Sequence, residues 1–118
     1  MKYLLVIQES EPDFTARNDP EKSEAYWQTW IAYTQLVAKA DPNFSGTVLQ
    51  GPETGTFVSG TGADKVVQDG PFAGTKEHLG GFYMFDVENL DVALELAAAC
   101  PATKNGRVEV RPVLPMNN

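Results

Sequence analysis

Two segments of the chain, residues 2–8 and 82–87, read as β-strands that are apolar on both faces. In the first, Tyr3, Leu5 and Ile7 fall on one side, while Leu4 and Val6 fall on the other. The second, Phe82-Tyr83-Met84-Phe85-Asp86-Val87, also has no continuous polar side. Side chains alternate across a strand, so helices laid on one face leave the other apolar face uncovered. Uncovered patches of that kind mark association surfaces. The simplest cover is a second copy of the same sheet. The pattern therefore predicts a homodimer with its sheets face to face, a dimeric α/β barrel.

The remaining segments supply the rest of the sheet and its helices. Residues 9–18 are polar and read as irregular. Asp19 is a natural N-cap with Pro20 at the first helical position and Glu21 beside the positive end of the helix dipole. The helix predicted over 20–40 carries Trp27, Trp30, Ile31, Thr34, Val37 and Ala38 on one stripe and ends at Asp41-Pro42. Short strands are expected at 47–50, 56–59 and 65–68, the last two as a hairpin around Gly60-Thr61-Gly62. Asn89 or Asp91 caps a second helix, with Leu90, Ala93, Leu94 and Ala97 inward and Pro101 at its end. Residues 107–112 alternate, with Val108 and Val110 against Arg107, Glu109 and Arg111, which suits an edge strand. This order is that of an α+β fold, a ferredoxin-like split βαβ with an antiparallel sheet and both helices on one face. At 118 residues the chain is expected to form a single domain.

Charge and motif content narrow the function. Nine Lys and Arg against sixteen Asp and Glu give a net charge of −7. Such a surface repels phosphate backbones and anionic lipid, so neither nucleic acid nor membrane is an expected partner. The opening residues lack a signal-peptide core, and the lone cysteine fits a reducing cytoplasm. Cys100, before Pro101 at a helix end, reads as a buried and unreactive thiol. One histidine and one cysteine far apart offer no metal-ligand spacing. Serine-nucleophile, Walker and dinucleotide-binding patterns are absent, so no cofactor is expected.

Between the predicted hairpin and the central strand lies Asp69-Gly70-Pro71-Phe72-Ala73-Gly74-Thr75-Lys76-Glu77-His78-Leu79-Gly80-Gly81, which contains the only histidine. Asp-Gly-Pro is turn chemistry, in which Asp69 can bond its own following backbone. Gly80-Gly81 permits a bend or a close backbone approach. Phe72 reads as an anchor in the core or at a dimer interface.

Asp69-Gly70-Pro71-Phe72, Thr75-Lys76-Glu77, Leu79-Gly80-Gly81-Phe82 and Asp86-Val87 resemble the YCII-related family in its DGPF-motif branch. So do the opening Met1-Lys2-Tyr3-Leu4-Leu5 and the closing run from Gly106 to Val113. The resemblance implies a dimeric ferredoxin-like barrel, genomic association with extracytoplasmic-function sigma factors in many bacteria, and no settled reaction. This chain departs from the pattern twice. Gly74 stands where an acidic residue is expected. The first helix lacks the histidine of a His–Asp pair proposed for relatives, and only Asp69 matches the acidic member.

As an enzyme, the chain would use Asp69 as general base, Lys76 to stabilise an anion and His78 as a neutral-range titrating group. The plainer readings are favoured: a turn former for Asp69, a solvated pair for Lys76 and Glu77, an exposed loop residue for His78. A small-molecule binding or regulatory module ranks first, with a pocket between sheets lined by Tyr3, Phe72, Gly81, Tyr83 and Phe85. An enzyme acting on a small polar organic substrate ranks second, and a protein-interaction partner in a signalling operon third.

Overall fold

A computed structural model describes residues 1–71 and 74–116. The elements are β1 (Lys2–Ser10), α1 (Glu11–Ala16), α2 (Ser23–Ala40), β2 (Ser45–Val48), β3 (Thr56–Ser59), β4 (Val66–Asp69), β5 (Glu77–Asp86), α3 (Leu90–Ala98) and β6 (Arg107–Pro112). Four strands form an antiparallel sheet in the order β2-β5-β1-β6, with β1 and β5 central and β6 at the edge. This is the expected ferredoxin-like α+β arrangement. β3 and β4 form a separate two-stranded sheet outside it.

Register explains how the helices cover one face. Leu5 lies opposite both Tyr83 and Val110, and Tyr3 lies opposite Phe85. Side chains directly opposite share a face, so these residues form one apolar surface. They pack in a single core with Tyr33 and Val37 of α2 and Ala93, Leu96 and Ala97 of α3. Tyr33 also ties the two helices together, its hydroxyl donating to the Leu96 carbonyl at 2.7 Å. The other face carries Leu4, Val6, Phe82 and Met84, all half-buried. Glu109 and Arg111 flank that surface on the edge strand, opposite Val6 and Leu4.

Several local expectations change. β1 runs two residues further than expected, and Glu11–Ala16 is helical where irregular chain was expected. Asp19 does cap: its Oδ1 accepts from the Glu21 and Lys22 amides, although the regular helix begins only at Ser23. On α2 the buried residues are Tyr33 and Val37, whereas Ile31 is half-exposed. α3 buries Ala93, Leu96 and Ala97 and leaves Leu90 and Leu94 exposed, a rotation of the inward face. Small residues inward let α3 lie close to the sheet. Asn89 is its cap, with Oδ1 accepting from the Val92 amide at 3.1 Å. β5 begins at Glu77, so His78 to Gly81 belong to a strand rather than a loop.

Candidate functional site

The strand extension of β1 creates the most unusual chemistry in the molecule. Period two carries Tyr3, Leu5 and Ile7 inward, and it carries Glu9 inward next. Glu9 is only 2% exposed. A carboxylate so far from water requires a charged or hydrogen-bonding partner. Arg17, at the C-cap of α1, supplies it, with Nη2 at 2.7 Å from Glu9 Oε1. The same guanidinium donates to the Gly80 carbonyl at 3.2 Å, the Leu49 carbonyl at 2.5 Å and the Tyr26 hydroxyl at 3.2 Å. Tyr26 in turn donates to Glu9 Oε2. The Phe14 ring lies 4.6 Å below the guanidinium, and Trp27 lies 5.7 Å away. One arginine thus joins β1, β2's continuation, β5, α1 and α2.

The titration behaviour follows from this geometry. Burial works against the Arg17 cation, but its hydrogen bonds to Tyr26 and Glu9 and the Glu9 charge outweigh it, so its pKa moves up. Burial, reinforced by the hydrogen bond to Glu9, raises the Tyr26 phenol well above its ordinary value. The result is a fixed pair of opposite charges beside a neutral phenol.

Gly80 and Gly81 make this arrangement possible through close approach, not positive φ. A Cβ on Gly80 would collide with the Glu9 carboxylate, which Arg17 and Tyr26 hold in place. A Cβ on Gly81 would lie 2.5 Å from the Thr47 carbonyl oxygen of β2. Register slips between Ile7 and Gln8, so Gly80 is skipped between the Gln8–Leu79 and Ile7–Gly81 pairs.

Two clefts flank the Glu9–Arg17–Tyr26 cluster. The narrower, of about 500 Å³, lies between α2 and the β2–β5 edge, with Glu9, Tyr26, Trp27, Trp30, Thr34 and Tyr83 among its lining. Five aromatic rings line it: Tyr26 meets Trp27 edge-on at 4.8 Å and Trp30 at 6.4 Å, and Phe44 lies 6.0 Å from Tyr83. Inside it, Thr34 Oγ1 and the Tyr83 hydroxyl lie 2.6 Å apart. The broader trough, about 1570 Å³ and open, is bordered by Phe14, Arg17, Leu49, Lys76, His78 and Arg107.

The residues singled out from sequence are dispersed. Asp69 ends β4, is exposed, lines neither of these clefts and makes no side-chain hydrogen bond with a described residue. Lys76 and His78 border the broad trough, and His78 is the register partner of Glu9. Gly81 and Tyr83 line the narrow cleft. Tyr3 and Phe85 sit in the core beneath the helices, 3% and 1% exposed, so they face away from any surface between two sheets. Phe72 lies outside the described residues. Sequence reasoning passed over Glu9, Arg17 and Tyr26. The signal was available: continuing the strand alternation by one step places an acid inside. Among the described residues, no cluster of His, Cys, Asp and Glu is placed to hold a metal ion, and no helix is long and apolar enough to cross a membrane.

A mixed sheet-and-helix layer of this topology, with a cleft beneath the long helix, defines a ferredoxin-like α+β protein. Residues 1–117 match the YCII-related domain, and the chain belongs to that family. An uncharacterised protein of Rhizobium meliloti (strain 1021) is 50% identical over 54 residues; that match spans 42% of this chain and 42% of the relative's length. Among solved structures, 5-chloro-2-hydroxyhydroquinone dehydrochlorinase (TftG) from Burkholderia phenoliruptrix, in complex with 2,5-dihydroxybenzoquinone, shares the fold. It matches with a TM-score of 0.52 at 14% identity, over 97% of this chain and 94% of the other.

Proposed function

We propose that the protein is a cytoplasmic homodimer that binds a small organic molecule in the cleft between α2 and the β2–β5 edge. The observation that carries this reading is the cleft itself. It combines a size suited to small ligands, an aromatic wall and a few fixed polar groups, the usual composition of such sites. The dehydrochlorinase of the same fold, solved in complex with 2,5-dihydroxybenzoquinone, supports reading the fold as able to hold flat organic molecules. The link to sigma-factor operons implied by the DGPF resemblance fits a regulatory module whose ligand is an effector.

The test is a thermal-shift screen of phenols, quinones and aromatic amides against the protein and its Ile31→Trp variant. Ile31 is half-exposed on the rim, and a tryptophan there fills the cleft. Compounds that stabilise the parent protein and not the variant support the reading. Hits that stabilise both equally place binding elsewhere.

The dimer reading rests on the second sheet face, where Leu4, Val6, Phe82 and Met84 are only half-buried, with Glu109 and Arg111 beside them. Light scattering at micromolar concentration should give twice the chain mass, and Val6→Asp should halve it. A monomeric parent protein removes the barrel. The enzyme reading, with Asp69 as general base, draws support from the neighbour's being an enzyme. Against it, Asp69 is exposed on the hairpin and borders neither of the two clefts.

A further inference from the structure

The polar groups of the narrow cleft are not all used up by the protein, and what they leave over has a direction. Glu9 lines the cleft and is 2% exposed, so only an occupant of the cleft can reach it. A carboxylate offers about four acceptor sites. Arg17 takes one at Oε1 and Tyr26 takes one at Oε2, which leaves acceptor capacity at this end. Nearer the other end, Thr34 and Tyr83 bond to each other at 2.6 Å. Two hydroxyls sharing one hydrogen bond use one O–H and leave the second without a partner among the described residues. Both residues line the cleft, so this spare donor is available to its occupant.

The two ends are set apart by a fixed ruler. Two turns of α2 separate Tyr26, which touches Glu9, from Thr34, about 12 Å of rise. After a hydrogen bond at each end, that span suits a molecule of one or two rings. The wall between the ends is Trp27, Trp30 and Phe44 with Ile31 at the rim, which favours a flat apolar body. The Glu9 charge is already matched by Arg17, so a charged ligand would enter with no counter-ion.

We infer that the cleft recognises an uncharged, flat aromatic molecule of one or two rings, donating a hydrogen bond to Glu9 at one edge and accepting one from the Thr34–Tyr83 hydroxyl pair at the opposite edge. This rests on the small-molecule reading above and specifies its ligand class.

Four related probes test it by equilibrium dialysis against the whole protein: 6-acetyl-2-naphthol, 2-naphthol, 2-acetylnaphthalene and naphthalene. The first carries a donating hydroxyl and an accepting ketone at opposite edges, 2-naphthol has the hydroxyl alone, 2-acetylnaphthalene the ketone alone, and naphthalene neither. The expected order places 6-acetyl-2-naphthol about tenfold tighter than either single-function probe, the equivalent of one net hydrogen bond. Thr34→Val combined with Tyr83→Phe keeps the shape and removes both hydroxyls. It should weaken 6-acetyl-2-naphthol and 2-acetylnaphthalene about tenfold and leave 2-naphthol unchanged. Should the double variant unfold, the four-probe order on the parent protein decides alone. Equal affinities for all four overturn the recognition pattern and leave a small-molecule cleft standing. Failure of every probe to bind overturns both.

Discussion

The Glu9–Arg17–Tyr26 cluster and the β3–β4 hairpin are opposites in how they are held. The cluster buries an ion pair with exposures of 7% and 2%, and one guanidinium reaches four acceptors on four separate segments. Every residue of β3 and β4 is exposed, including Phe57, Val58, Val66 and Val67, and among the described residues the two strands form a sheet of their own. The hairpin ends in the Asp-Gly-Pro sequence that stands out most on first reading. The cluster is built from residues that stand out least. Conspicuous turn chemistry advertises a backbone conformation, whereas buried charge reports a constraint that packing must satisfy. Substitutions should therefore cost most where the sequence is plain.

Arg17→Met gives the largest expected effect. It leaves the Glu9 carboxylate buried beside a phenol with no cation, a loss of about 3–5 kcal/mol for a broken buried pair. Adding Glu9→Met should recover a good part of that loss, because an apolar pair needs no solvation. Urea titration of the parent, both singles and the double closes the cycle. Additive losses would mean that the pair is not coupled.

Gly81→Val comes next. The added side chain drives into the Thr47 carbonyl of β2, and the backbone on both sides is fixed by sheet pairing. Overpacking of this kind costs about 1–3 kcal/mol. A melting temperature equal to the parent's would show that β2 yields freely at this edge.

Alkaline pH probes the same half of the molecule more gently. Burial pushes the Cys100 thiol up to about 12, and burial also raises Tyr26, Tyr33 and Tyr83. Each group ionises more readily in the unfolded chain, from its ordinary value of 9.0 for the thiol and 10.0 for the phenols. Their stabilising contribution is therefore complete below pH 9 and is lost as pH climbs toward the folded values. Melting temperature should be level from pH 7 to 8.5 and fall above it. Cys100 should react with a thiol reagent at pH 8 only on unfolding. Rapid labelling of the folded protein would refute its burial.

What the sequence revealed follows the same division. Strand order, the edge position of 107–112, the hairpin and the Asp41-Pro42 stop were legible because each has a local cause: alternation, a turn or a cap. The inward face of α3 was not, since leucines at 90 and 94 and alanines at 93 and 97 offer two faces, and contact with β6 and the sheet chooses between them. Glu9 escaped notice because the predicted strand stopped at Gln8. Arg17 escaped because its partners lie far along the chain, Gly80 among them. Asp69 drew attention for its turn and its motif, neither of which places it in a cleft.

Asp69→Asn should therefore have the smallest effect of all. The residue is exposed, it lines neither of the two clefts, and its carboxylate has no hydrogen bond to a described residue. Exposed substitutions away from caps and ion pairs fall within about 0.5 kcal/mol. Asparagine keeps the shape and suits the same turn, so folding and association should match the parent. Binding of 6-acetyl-2-naphthol should match as well, because that site is framed by β1, β2, β5, α2 and Phe44 of the α2–β2 connection, with no residue of the hairpin in its lining. A variant that melts like the parent but binds the probe several-fold more weakly would reverse the comparison. The exposed valines of β3 and β4 would then be the buried underside of an arm laid across a second copy, carrying Asp69 to that copy's cleft. Mixing the variant with an Ile31→Trp chain separates the cases: an arm acting across the dimer restores half the sites in mixed dimers only if Asp69 and the open cleft come from different chains.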